Sequence, residues 1–354
     1  MEKQLQTARY KVLASTKDKR LCYAGGRIWT EDASHAINRV EAGFSKLSRI
    51  RLAERVLRLT PRTGFALGGT FYYTTHGWLY RVDEKNRKAQ PVFQFRPGMN
   101  NPLSVCVCQW DRKEAAYWGE YWINANREEA SVFAFDGDAV KKMCTLSGVK
   151  HIHTVVWDRY RECFWITTGD SDDESRIYKA SRTFDRTECV FMGQQKYRTC
   201  ALIPTEKGLL YATDSPLCPN SLFFSEEQEG RFLEPAAVAP MPGPCLFCQE
   251  IRGNYFFSTS VESNPDQPIV KYWLSWKVGP GNVDRKAYVL RVNQDLQVTE
   301  VWSEEKDIHN MAFFHFGSFQ LSYDASAGAL AAYCTALKKY DGQTLFLSVE
   351  GEES

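Results

Sequence analysis

The sequence predicts an all-β protein: a single β-propeller of about six four-stranded blades with a short basic N-terminal segment. Three observations predict it. An apolar or aromatic strand ending in a small residue recurs, with ends at Thr75, Gly119, Gly169, Thr213, Thr259 and Thr335. The spacings are 44, 50, 44, 46 and 76 residues, and four of the five match one blade. An alternating strand follows each copy across a turn, at 78–82, 131–135, 176–179, 222–224, 288–292 and 344–347. Long helical periodicity is missing after residue 62. Radial packing of such units leaves only short, protected sheet edges.

Taken in order, residues 1–62 form the N-terminal segment. They hold 14 Lys/Arg against 6 Asp/Glu, so the remaining chain is acidic although the whole carries only +1. Strand-like pieces at 10–14 and 21–29 are expected to complete the last blade and partly close the ring. The run Lys46, Arg49, Arg51, Arg55, Arg58 and Arg62, interleaved with Leu47, Ile50, Leu52, Val56, Leu57 and Leu59, fits a short amphipathic helix or a strand–helix pair, with either a solvated basic face packed on the main domain or a surface patch for an anionic polymer or membrane surface. Residues 63–354 form the propeller. The long fifth spacing requires an insertion at about 261–287, which contains Tyr272, Trp273 and Trp276.

Composition narrows the function classes. The chain has 354 residues, 44% of them hydrophobic, which is ample for a large core. Near-zero net charge gives no whole-molecule basic field for nucleic acid. No run approaches the length of a membrane span, and the N-terminus lacks the apolar core of a signal peptide, so a cytoplasmic protein is expected. Eleven cysteines, several inside apolar runs, agree with a reducing compartment. Cys245 and Cys248 stand at C-x-x-C spacing within a strand-like run, where buried thiols are expected.

The repeat also locates the chemistry. In a propeller, first-strand starts and the loops between second and third strands open on one face of the central channel. First-strand starts give Asn100, Asn101, His151, His153, Tyr197, Arg198, Cys245, His309 and Asn310. The loops give His76, Glu120, Tyr121, Asp170, Asp172, Asp173, Asp214, Ser215 and Glu262. Four of the six histidines fall on this face. His151 and His153 share a strand face, which suits a general base, or a divalent metal with His309 as third ligand. Asp170 and Asp214 occupy matching places on adjacent blades and could serve as acid and base on a glycosidic bond. The acidic turn 168–175 reads as an exposed loop or a weak Ca²⁺ site. Tyr197 beside Arg198 suits a proton donor next to a carboxylate clamp. Asn101, Glu120, Tyr121 and His309 are candidate substrate contacts, and Trp273 and Trp276 a stacking platform for a sugar ring.

The runs at 151–158, 165–170 and 211–216 together resemble bacterial propellers of the sialidase-like, BNR-repeat group. The resemblance covers about residues 64–350 and implies a propeller fold and association with glycans. The Asp-boxes and arginine triad of that group have no counterpart here, so no residue is carried over. Propeller polysaccharide lyases are a second similarity, through His, Tyr and Arg at the mouth. The expectation is a glycan-active protein, a lyase or glycoside hydrolase acting on an acidic oligo- or polysaccharide. The alternatives are a non-catalytic propeller binding a glycan or a protein, and a lactonase-like hydrolase with a channel-bound divalent ion.

Overall fold

Short runs in which apolar and polar residues alternate, cut by glycine-rich turns, leave each segment one face to bury. The computed structural model describes residues 6–110 and 113–349. Among them, antiparallel meanders follow one another at 11–40, 64–94, 106–146, 152–192, 201–241, 245–305 and 317–347, which we number sheets 1 to 7. Each carries four main strands once Gln6–Ala8 is counted, which pairs with Thr344–Leu347 at the edge of sheet 7. Sheets 6 and 7 are also joined where Ser260 and Val261 meet Ser318 and Gly317.

The first strands form a ring. Each touches the first strand of the next sheet, and Gly317–Asp324 of sheet 7 touches Lys11–Ser15 of sheet 1. All seven line a central cavity of about 510 Å³. Between sheets the packing is aromatic. Tyr72 meets Phe135 edge-on at 5.2 Å, and the Tyr117 and Phe164 centroids stand 4.5 Å apart. Gly119 is required by close approach: a Cβ there would lie 2.2 Å from Ile152 Cγ2 in the next sheet.

The N-terminal expectation needs correction. Residues 11–40 build a sheet of their own, with Lys19–Ala24 as its second strand, instead of completing the last one. Ring closure falls to Gln6–Ala8 alone. The six-unit count missed this sheet because Lys19–Ala24 lacks the small polar ending of the other copies, and the basic run separates it from sheet 2.

That basic run forms a 3-10 turn, Lys46–Arg49, and a helix, Arg51–Val56. The burial is the reverse of an amphipathic helix. Glu54 and Arg55 are buried, whereas Leu47, Ile50, Leu52 and Leu57 are exposed. Ion pairs override the apolar pattern: Arg55 reaches Asp307 at 2.6 Å, and Arg51 reaches Asp341 and Glu54, both at 2.7 Å. Tyr23 donates to Glu54 at 2.6 Å. The insertion contains a short helix, Ile269–Trp273, and a bridge between Ser263 and Val278. Among the described residues no helix is long and apolar enough to cross a membrane.

Candidate functional site

The site is built where first strands begin. His151 precedes the first strand of sheet 4, Ile152–Asp158, and His153 lies inside it. A register shift between Ile152 and Thr154 breaks simple alternation there. Both imidazoles are buried. Their Nδ1 atoms face backbone carbonyls: His151 that of Trp122 at 2.9 Å, His153 that of Thr199 at 3.2 Å. A carbonyl can only accept, so each Nδ1 carries the proton and each Nε2 presents a lone pair. The two Nε2 atoms face each other at 3.2 Å.

Asp170 completes the group from the end of the second strand, with Oδ1 3.7 Å from both Nε2 atoms. Its φ is +107°, a backbone state that non-glycine residues rarely hold. Its neighbour Gly169 leaves the space this needs: a Cβ there would lie 2.7 Å from His153 Cε1 and 2.9 Å from Arg198 Cγ. Lys150 pairs with Asp170 Oδ2 at 2.6 Å. Arg198 contacts Oδ1 at 3.3 Å and the Asp170 carbonyl at 2.9 Å. Burial alone would raise the Asp170 pKa, but its interactions with the two imidazoles and the Arg198 charge outweigh it, so the carboxyl stays well below the usual range. His151 is pushed down to about 3, chiefly by burial and then by His153.

Around this core lie groups with the opposite tendency. Asp214 is raised by burial, and it accepts a hydrogen bond from the Cys200 thiol at 3.1 Å. Burial and Asp214 hold the Cys200 thiol well above its ordinary value. Glu262, at the end of the second strand of sheet 6, is pushed up to about 7 by burial and the Asp214 charge, and Ser260 Oγ lies 2.5 Å from its Oε1. Tyr121 packs on His151 with centroids 4.3 Å apart, and burial raises its phenol.

Glu262 carries a testable pH signature. Its folded pKa of about 7 exceeds the unfolded value of about 4.3, so the folded state holds a proton that the unfolded state has released. Stability therefore falls as pH rises between those two values. Glu262→Gln should remove that slope and stabilise the protein at pH 8 by about 2 kcal/mol. Urea unfolding from pH 5 to 8 checks this, and parallel curves for both proteins would refute it.

The structure thus brings together His151, His153, Asp170, Arg198, Asp214 and Tyr121. It separates the rest. Tyr197 is buried on the far side of Arg198, stacked on Phe191 and donating to Glu234 at 2.8 Å. The 3-10 turn Gln195–Tyr197 aims the phenol away from the Arg198 guanidinium, so the two cannot act side by side. His309 lies in the connection before sheet 7, against Phe314, because the first strand of that sheet begins only at Gly317. Among the described residues it does not join the histidine pair, whereas Asp170 does. Asn101 accepts from the Gly77 amide at 3.1 Å, and Glu120 accepts from the Ser131 amide at 2.8 Å, so both fasten loops. Trp273 meets Phe313 edge-on at 6.2 Å, and Trp276 donates to the Ile308 carbonyl at 2.8 Å. Asp172 and Asp173 stay on an exposed turn. Burial pushes the Cys245 and Cys248 thiols up, the latter to about 12. Arg62 was missed. It stands at the mouth with its guanidinium 5.3 Å from the Tyr121 ring centroid, and its place just before the first strand of sheet 2 was the available signal.

The three donors fit a divalent cation. Two bare Nε2 atoms and one ionised carboxylate make a two-histidine, one-carboxylate set, and the 3.2 Å between nitrogens suits metal–nitrogen bonds of about 2.1 Å. Two facing lone pairs otherwise need a shared proton. A second grouping, His153 with Cys200 and Asp214, suits a cation less, because its thiol stays protonated.

No family model and no curated protein matches the chain. Solved structures do. The chain is similar to an oligogalacturonate lyase in complex with manganese, at 10% identity over 98% of this chain and 91% of that one, with a TM-score of 0.59. It is similar to an oligogalacturonate lyase from Vibrio parahaemolyticus, at 9% identity over 99% of this chain and 93% of that one, TM-score 0.57. It also matches the Dos1 propeller at 8% identity over 95% of this chain and 76% of that one, TM-score 0.51. The fold is a β-propeller. At these identities the likeness extends to the propeller architecture alone, and none of these matches points to the sialidase-like group.

Proposed function

We propose that this propeller acts on an acidic oligosaccharide at the channel mouth, by β-elimination next to a sugar carboxylate. One observation carries the reading: a buried histidine pair whose lone pairs converge beside an ionised Asp170 forms a seat for positive charge at the mouth. The similarity to oligogalacturonate lyases supports the substrate class. His151, His153 and Asp170 would hold a divalent ion, which when bound supplies positive charge to the sugar carboxylate and acidifies the adjacent carbon. His151, at about 3, is too weak a base to take that proton. Glu262, near neutrality, accepts it. The carbon–oxygen bond to the leaving sugar then breaks, a carbon–carbon double bond forms, and Tyr121, kept protonated by burial, returns a proton to the departing oxygen. Arg198 holds Asp170 in place and is not free to clamp substrate.

A glycoside hydrolase is the second reading, because Asp214 is raised while Asp170 is held ionised, an acid and a base set apart by environment. One experiment separates the two. Purified protein is assayed for bound metal and incubated with oligogalacturonates, following the ultraviolet absorbance of an unsaturated uronate and the appearance of reducing ends. Both signals together are expected. Reducing ends without the chromophore would establish hydrolysis, and binding without either signal would leave a glycan-binding propeller.

A further inference from the structure

The basic run that includes Arg58 and Arg62 is not one surface patch. Arg51 and Arg55 are neutralised by Asp341, Glu54 and Asp307. Arg58 and Arg62 are not: among the described residues neither pairs with a carboxylate. Arg58 donates to the carbonyls of Arg55 at 3.1 Å and Ala312 at 2.7 Å. The Arg62 guanidinium lies over the face of Tyr121, and its Nε is buried without a hydrogen-bond partner among the described residues. His315 lies close by, three residues beyond the Ala312 carbonyl that Arg58 holds. It follows the short helix Met311–Phe314 with φ +83°, and its Nδ1 is also buried without a partner.

The two arginine charges are close, and His315 beside them stays uncharged. Burial first, and then the charges of Arg58, Arg62, Arg51 and Arg55, holds His315 well below its ordinary value. Arg58, though solvent-exposed, stands close to the charges of Arg62 and Arg55, which lower it. Orphaned buried donors and converging like charges cost free energy unless something negative offsets them. Tyr121 stands between this cluster and the histidine pair, with Arg62 over its ring and His151 against it.

We infer that Arg62 and Arg58, with His315, form an anion-binding subsite at the channel mouth, across Tyr121 from the histidine pair, for a second carboxylate, phosphate or sulfate group of the ligand. The inference rests on the acidic-glycan reading for the ligand's identity, but not for the site's existence. It makes the substrate at least dianionic: one charge at the histidine–Asp170 seat, another at the arginines. A guanidinium can meet an oxyanion with two parallel hydrogen bonds, which a lysine cannot reproduce.

The test titrates the full chain with inorganic phosphate by calorimetry, then with digalacturonate. Arg62→Gln should weaken phosphate binding by about tenfold or more. Arg62→Lys should recover part of it, and His153→Ala should leave it unchanged. Where Arg62→Gln does not fold, Arg58→Gln serves in its place. Equal phosphate affinity in wild type and the arginine variants, or no phosphate binding by wild type at millimolar concentration, overturns the inference. Arginine-dependent phosphate binding without any binding or cleavage of digalacturonate keeps the subsite and removes the glycan reading. Loss of digalacturonate affinity in Arg62→Gln, beyond that seen with monogalacturonate, supports both.

Discussion

Asp170→Asn is expected to abolish retention of a divalent ion and to lower turnover of acidic oligosaccharides by about a hundredfold or more. The carboxylate faces both Nε2 atoms and two cations, Lys150 and Arg198. Asparagine keeps its shape and removes its charge. Lys150 and Arg198 are then left beside the histidine pair with nothing to offset them, so the seat would repel a divalent cation. The fold should survive, because Asp170 sits on a loop and its side chain is partly solvated. A loss of about 2 kcal/mol is expected, below the full cost of breaking a buried pair. The sign with pH is fixed. The folded carboxyl titrates below the unfolded value of about 3.9, so its contribution is fully present above that pH and is lost only as pH falls toward the folded value. The stability difference between wild type and variant should therefore be flat from pH 5 to 8. Metal analysis, an oligogalacturonate assay and urea unfolding at three pH values check each part. A variant that keeps its metal and its turnover would show that Asp170 only positions Arg198.

Much of this site was legible from spacing. A repeat that ends each second strand in a small residue marks the loops opening on one face, and that locates Asp170, Asp214, Glu262 and Tyr121 without any side-chain geometry. Gly169 shows why smallness matters, since His153 and Arg198 pack where its Cβ would be. Orientation was not legible. A bulge between Ile152 and Thr154 and a 3-10 turn at Gln195–Tyr197 decide where neighbouring side chains point, and neither has a signature in alternation. Tyr197 was misplaced for that reason. The basic run misled differently. Its leucines suggest a buried stripe, but the partners that fix the helix, Asp307 and Asp341, come from loops far along the chain. The first sheet was overlooked because its strands read as strands without reading as a copy of the others.

The largest stability effect should come from a carboxylate outside the mouth. Asp158 ends the first strand of sheet 4 with no exposed surface. One oxygen accepts from the amides of Tyr160 at 2.9 Å and Arg161 at 3.2 Å, which closes the turn. The other accepts from Trp165 Nε1 at 2.9 Å and the Arg161 guanidinium at 3.0 Å. Arg161 goes on to the carbonyl of Thr205 at 2.9 Å and to Glu227 in sheet 5. Asp158 thus ties a buried tryptophan, a turn and the seam between two sheets. Asp324 does the same in sheet 7, where Arg20 reaches it at 3.0 Å across the seam with sheet 1. Asp158→Ala strands a buried indole N–H and an arginine together, for which about 4 kcal/mol is expected, against a smaller loss for Asp158→Asn, which still accepts at the turn. Asp324→Ala should cost a similar amount. It acts where sheet 7 meets sheet 1, next to the ring closure that the pairing of Gln6–Ala8 with Thr344–Leu347 makes without a covalent bond, so it should also speed unfolding. Equilibrium and kinetic unfolding in urea measure both. If the two alanine variants lose the same free energy but only Asp324→Ala unfolds faster, ring closure sets the barrier. Equal unfolding rates would place the barrier in the sheets themselves.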